Sequence, residues 1–251
     1  MGSTIIGRNA VLEALKSGRQ IDKIYMLRGA EGSAKKIAGA AKDRHIPLVF
    51  RDRKALDEMA DSKNHQGVIA SVSPYRYAEV ADILKDAHDK GEDPFIVILD
   101  GIEDPHNLGA IIRSAEGAGA HGIIIPKRRA AELTDTAVKA SAGAAEYMKC
   151  ARVTNLSRTV DELKEKGIWV YGADMEGQNW CQTDFSGGVA LIVGSEGRGM
   201  NRLLKDKCDV MVTLPMRGEI TSLNASVAGG IIMYEVARQR LGIRAAEPKA
   251  K

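Results

Sequence analysis

Five short runs of nearly unbroken aliphatic residues, at 95–99, 122–125, 168–171, 189–193 and 210–214, recur through the latter part of the chain with helical segments between them. A strand with one wetted face alternates apolar and polar residues, whereas a strand apolar on both faces must be covered on both. Such strands, alternating with helices, predict an α/β fold with a parallel sheet held between two helical layers. Ligands of a sheet of this kind collect beyond the carboxyl ends of its strands, so the loops leaving those ends are where chemistry is to be sought.

The first third reads differently. Helices are expected at 9–17, 33–45 and 53–60, and strands at 21–27, 47–51 and 67–72, after which Ser73-Pro74 breaks the pattern. A polar helix at 78–90 and the turn Gly91-Glu92-Asp93-Pro94 follow. The expected organisation is a small α/β domain at 1–74, a linker at 75–93 and the parallel-sheet domain at 94–251.

Composition excludes several classes. With 27% charged and 44% hydrophobic residues the chain is globular in type, not disordered or fibrous. No apolar run approaches the roughly 18 residues that cross a bilayer, and the start Met1-Gly2-Ser3-Thr4 has no signal-peptide pattern. Cys150, Cys181 and Cys208 lie far apart without a C-x-x-C pair, which predicts neither disulfides nor a zinc ribbon and makes the cytoplasm the expected compartment. The formal charge, 36 − 33 = +3, does not by itself imply nucleic acid. The first third nevertheless gathers Arg8, Lys16, Arg19, Lys23, Arg28, Lys35, Lys36, Arg51, Arg53 and Lys54, a set whose commoner meaning is a solvated surface. At 4% aromatic residues, RNA recognition by stacked aromatic platforms is disfavoured, while recognition by basic surfaces is not.

One motif is false. Gly117-Ala118-Gly119-Ala120-His121-Gly122 spells G-x-G-x-x-G, but it lies at the end of a helix and runs into a strand, the reverse of the order that faces a pyrophosphate. It reads as a helix cap and turn. No P-loop string is present.

Three other loops leave strand ends. The first, 99–115, carries a helix read as starting near Asn107, a strong cap type. Leu108, Ile111, Ile112 and Ala115 make its buried stripe, Arg113 stands off that stripe, and Gly109 leaves space for something to approach. The second, Gly194-Ser195-Glu196-Gly197-Arg198-Gly199-Met200, sets a carboxylate inside a glycine-rich turn. The third, 214–224, opens a helix reaching about Arg240, with Ser222 and Asn224 as candidate caps and Val227, Ile231 and Tyr234 as its inner stripe. Gly229-Gly230 within that helix predicts close packing against another backbone.

Together these segments, N-x-G-A-I-I-R-S-A, G-S-E-G-R-G-M and L-P-M-x-G-x-x-x-S-L-N-A-S-V-A, resemble the three motifs of the SpoU (TrmH-type, SPOUT superfamily) RNA ribose methyltransferases over about residues 95–240. The opening Ile6-Gly7-Arg8-Asn9-Ala10-Val11-Leu12-Glu13-Ala14-Leu15 is similar to the start of the small RNA-binding domain fused to many members. The whole arrangement is most similar to the branch that methylates a guanosine of bacterial 23S rRNA. The resemblance implies a C-terminal trefoil-knotted domain that binds S-adenosylmethionine and pairs as a homodimer. It places the cofactor's adenine among Gly194, Leu214, Met216, Ser222 and Leu223, and catalysis on Asn107, Arg113, Glu196, Ser222 and Asn224.

Methyl transfer from a sulfonium to a ribose 2′-hydroxyl requires alignment and loss of the hydroxyl proton, and calls for no metal. The resemblance names Arg113 as the base, yet a guanidinium stays protonated in proteins. Its planar fork is better suited to binding a neighbouring phosphate and orienting the hydroxyl. Two rivals stand beside this reading: a tRNA 2′-O-methyltransferase, and a non-catalytic RNA-binding assembly factor on the same scaffold.

Overall fold

The structure, a computed structural model, describes residues 3–244 apart from 20, 45, 61–63, 73, 74 and 76; the expected break at Ser73-Pro74 lies outside the described residues. The first third folds as β1 (Ser3–Ile6), α1 (Arg8–Lys16), β2 (Ile21–Leu27), α2 (Ser33–Asp43), β3 (Leu48–Arg51), α3 (Arg53–Ala60) and β4 (Val68–Val72). Its strands lie in the order β1-β4-β2-β3, and only β2 and β3 run parallel. Alternation along β2 sorts the layers: Ile24 and Met26 join Val11, Leu15 and Ile37 of α1 and α2, while Tyr25 and Leu27 turn toward Leu56 of α3. The sequence reading misses β1, whose four residues are too few to show a period.

The rest of the chain continues as α4 (Val80–Lys90), β5 (Phe95–Asp100), α5 (Pro105–Gly117), β6 (Gly122–Pro126), α6 (Asp135–Ala140), β7 (Lys149–Val153), α7 (Leu156–Lys164), β8 (Trp169–Asn179), β9 (Val189–Gly194), α8 (Arg202–Lys205), β10 (Val210–Thr213) and α9 (Ala225–Arg240). The sheet order is β10-β8-β9-β5-β6-β7, with every pair parallel. Both faces are covered, as the aliphatic runs require. Phe95, Val97 and Leu99 meet α5, α6 and α9 on one side, and Ile96 and Ile98 meet α4, α7 and α8 on the other.

Three differences from the sequence reading have physical causes. β7 escapes it, because Lys149 and Arg152 interrupt the apolar pattern at the edge of the sheet. β8 runs well past 168–171, since its polar second half, residues 174–179, follows β10 and stays largely exposed. The segment 78–90, read as part of a linker, packs Ile83 and Ala87 of α4 against the sheet, with Ile83 in the second core layer. There Lys149 and Lys90 reach Asp86 at 2.6 and 2.9 Å and hold its carboxyl at about 2.

The two sheets meet through α1 and β1. Arg19 Nη1 lies 2.5 Å from Glu146 Oε1, both side chains being nearly buried, and Thr4 Oγ1 donates to Asp135 Oδ2 at 3.3 Å. Tyr147 donates its hydroxyl proton to Glu13, and Tyr75 donates its own to the Met148 carbonyl at 3.1 Å. Arg19, one of the cations gathered in the first third, is thus an internal clamp.

Candidate active site

The site forms where β5 and β9, adjacent at the sheet centre, release their chains. Asp100 and Gly194 pair in register at these strand ends. Asp100 Oδ2 accepts from the Asn201 amide at 2.6 Å, fixing the far side of the second loop. The sequence reading gives Asp100 no role; the available signal was a carboxylate at the carboxyl end of a central strand. The second loop closes on itself through Ser195 N to Gly199 O at 3.1 Å and Gly199 N to Ser195 O at 2.9 Å. A Cβ on Gly194 would stand 2.4 Å from the Gly199 carbonyl carbon, so only glycine permits this doubling back.

Asn107 is not the cap of α5. Asp104 caps it, accepting from the His106 amide at 2.8 Å, and Pro105 supplies the first helical residue. The Asn107 side chain therefore stays available in the first turn. Of the two candidate caps of α9, Asn224 serves and Ser222 does not: Asn224 Oδ1 accepts from Ser226 N at 2.9 Å and Val227 N at 3.3 Å.

These three loops converge on one oxygen. Glu196 Oε1 accepts from Asn107 Nδ2 at 2.9 Å, from Asn224 Nδ2 and, at 3.4 Å, from the Ala225 amide. Asn224 Nδ2 also donates to Asn107 Oδ1 at 3.0 Å, closing a triangle of side chains. Glu196 Oε2 has no hydrogen-bond donor among the described residues. Arg113 and Ser222 are exposed and joined to the triangle by no hydrogen bond among the described residues. Arg113 lies six residues beyond Asn107 on α5, about 9 Å along the axis.

Leu214 is half-buried, and Met216, Ser222 and Leu223 are exposed. Pro215 through Leu223 make no hydrogen bond among the described residues, so their amides and carbonyls are open beside the apolar Met216, Ile220 and Leu223. Backbone donors and acceptors next to apolar side chains suit an aromatic heterocycle such as adenine. No group of three His, Cys, Asp or Glu side chains among the described residues is placed to hold a metal ion, and no helix there is long and apolar enough to cross a membrane.

Of the two glycine readings, that for Gly109 is met and that for Gly229-Gly230 needs correction. The space at Gly109 is filled by α6: a Cβ there would lie 2.4 Å from the Ala137 carbonyl oxygen and 2.5 Å from Ala140 Cβ. Gly229 and Gly230 face the side chains of Val193 and Ser114, not another backbone. The stripe assigned to α9 also fails. Val227 and Tyr234 are 49% and 56% exposed, while Ala225, Gly229, Ile232, Met233 and Val236 point inward. α9 is apolar on both sides, so periodicity could not choose its inner face. The false motif behaves as expected: α5 ends at Gly117, Gly119 turns with φ +77°, and β6 begins at Gly122. Within it, buried His121 accepts from Phe95 N through Nδ1 at 3.0 Å and faces Glu92 through Nε2 at 3.1 Å.

Comparison with known proteins bears on the family and the fold. The SpoU rRNA Methylase family matches residues 94–234, and the RNA 2′-O ribose methyltransferase substrate-binding family matches residues 4–78. A Bacillus subtilis protein assigned by name to the TrmH family of tRNA/rRNA methyltransferases is 52% identical, over 94% of this chain and 95% of its own. A Staphylococcus haemolyticus protein so named is 45% identical over 94% and 95%. Among solved structures, the SpoU methyltransferase AviRb of Streptomyces viridochromogenes with bound AdoMet is similar at TM-score 0.80 and 25% identity, covering 95% of this chain and 90% of its own. An AdoMet-bound rRNA methyltransferase of Sinorhizobium meliloti reaches TM-score 0.79 and 26% identity over 96% and 88%. The TrmH/SpoU tRNA-modifying enzyme of A. aeolicus, at TM-score 0.55 and 27% identity, covers 60% of this chain and 77% of its own.

Proposed function

The chain belongs to the SpoU rRNA methylase family, and we propose that it methylates a ribose 2′-hydroxyl of RNA with S-adenosylmethionine, its substrate being a guanosine of 23S rRNA. The observation that carries this reading is the convergence of Asn107, Glu196 and Asn224, from three separate loops, at the carboxyl edge of the parallel sheet.

The residues present fit the cofactor. Gly194, Leu214, Met216, Ser222 and Leu223 would hold its adenine side, using the open backbone of the third loop. When bound, S-adenosylmethionine supplies a methyl group on a positively charged sulfur. The protein's part is alignment and control of the hydroxyl proton. Glu196 locks the three loops in register through Oε1 and keeps Oε2 free of protein donors. Arg113 presents a fork with no hydrogen-bond partner among the described residues, which grips the phosphate beside the target ribose and orients its hydroxyl.

Ribosomal RNA is favoured over tRNA by extent. The rRNA methyltransferase of S. meliloti parallels 96% of the chain, whereas the tRNA-modifying enzyme parallels 60%. The small sheet at the start of the chain supplies RNA affinity in this reading, and the knotted passage of the C-terminal segment belongs to it. Homodimerisation is supported by the exposed Val227 and Tyr234 on the outer side of α9. A non-catalytic assembly factor would have no need of a carboxylate knitting three loops together.

The test is methyl transfer from labelled S-adenosylmethionine to unmodified 23S rRNA and to unmodified tRNA, followed by mapping of alkali-resistant 2′-O-methyl positions. One guanosine of 23S rRNA is the expected product. Modification of tRNA alone would shift the substrate, and cofactor uptake without transfer to either RNA would leave only a binding scaffold.

A further inference from the structure

One strand out from β5, β6 ends at Pro126 and the chain turns through Lys127-Arg128-Arg129-Ala130 before α6. Neighbouring strands lie about 4.8 Å apart, so this loop leaves the sheet beside the one carrying Asn107. Its backbone is pinned from several directions. Lys127 N donates to Val153 O at 2.8 Å, and the Lys127 carbonyl accepts from Arg152 Nη2 at 3.3 Å. Ala131 N donates to the carbonyl of Ile102, in the first site loop, at 2.7 Å, and Leu133 N donates to the Tyr77 hydroxyl at 3.0 Å.

The side chains are arranged in the opposite way. Lys127, Arg128 and Arg129 are all exposed, and none has a side-chain hydrogen bond or ion pair among the described residues. The carboxylate that follows the loop is occupied elsewhere: Glu132 pairs with Arg152 at 2.8 Å. Arg129 sits at φ +56°, a left-handed conformation that a non-glycine residue adopts at a cost. A merely solvated loop would need neither that strain nor four tethers, and three cations held this close repel one another unless an anion lies between them.

We infer that Lys127, Arg128 and Arg129 form a phosphate clamp in the methyltransferase half, gripping the RNA strand beside the nucleotide that reacts. The inference rests on the RNA reading above and deepens it: the methyltransferase half itself grips the strand, so RNA is not held by the small sheet at the start of the chain alone. Contacts to phosphate position a strand without reading its sequence, so the clamp contributes affinity and register.

The test uses the full chain, a fluorescein-labelled single-stranded RNA of mixed sequence, and titrations between about 50 and 200 mM salt. Arg129→Gly removes one charge at a position where glycine relieves the backbone, so its fold is secure. The combined Lys127→Ala, Arg128→Ala and Arg129→Gly variant removes all three. Every phosphate left without its cation should lower the slope of log affinity against log salt by about 0.7, and the combined variant should bind about tenfold or more weakly at the low-salt end. S-adenosylmethionine affinity, measured by calorimetry, should stay as in the parent. A combined variant with parental slope and affinity overturns the clamp. If the parent binds RNA through this loop but transfers no methyl group, the clamp stands and the functional reading falls. If it methylates RNA while the slope ignores the three substitutions, the clamp falls alone.

Discussion

Gly109→Ala adds one methyl group where the fold has no room for it. The new Cβ would stand 2.5 Å from Ala140 Cβ, 2.4 Å from the Ala137 carbonyl oxygen and 2.9 Å from the Ser141 amide nitrogen. Non-bonded carbons settle at about 3.5–4.0 Å, so α6 must retreat from α5 by about 1 Å. Overpacking of this kind costs about 1–3 kcal/mol. Alanine returns about 1 kcal/mol of helix propensity, leaving a net loss of up to about 2 kcal/mol. For a chain of this size that lowers the thermal midpoint by up to about 8 °C. The functional effect should exceed the thermal one. α5 carries Asn107 and Arg113, and a displacement of about 1 Å at a reacting centre costs about 100-fold in rate. Gly39→Ala is the control: it lies in α2 with nothing within 4 Å of its added Cβ, and should gain stability. Thermal scans and single-turnover methylation of both variants check the reasoning. A Gly109→Ala protein that melts at or above the parent and methylates at the parental rate would refute it.

Arg113→Ala should lower turnover by about two to three orders of magnitude while calorimetric titration of S-adenosylmethionine changes little, because the residues proposed to hold the adenine lie on other loops. Arg113→Lys should rescue poorly, since an ammonium lacks the planar fork; parental methylation by Arg113→Ala would remove Arg113 from the mechanism. Asn224→Ala removes the cap on Ser226 N and Val227 N and should cost about 0.5–2 kcal/mol in urea unfolding. Asn224→Asp keeps a capping oxygen but sets a second carboxylate against Glu196, so it should retain more stability than Asn224→Ala and still lose turnover. Burial holds the His121 imidazole below its ordinary 6.5, so the unfolded chain takes up the proton more readily. Stability from this residue is therefore complete above about 6.5 and is lost as the pH falls below it, a slope that urea midpoints from about pH 7 to 5 should show and His121→Asn should flatten.

What the sequence determined by itself is whatever depends on local chemistry. Unbroken aliphatic runs alternating with helices predict strands covered on both faces, and Phe95 through Leu99 do divide between two core layers as that rule demands. The residue types of the site were also legible, since Asn107, Glu196 and Asn224 each stand in a segment that leaves a strand end. Their partnership was not, because Asn107 and Glu196 are 89 residues apart and Asn107 and Asn224 are 117 apart, separations at which no periodicity operates. Local preference even misassigned Asn107: Asp104 is an equally good cap, and Pro105 after it settles where α5 begins. The inner face of α9 and the occupant of the space beside Gly109 were equally hidden. A helix with apolar residues on both sides has no preferred side until Val193 and Ser114 pack against it, and a glycine declares that something comes close without saying what. Those choices belong to tertiary structure, because each is made by a surface contributed from elsewhere in the chain.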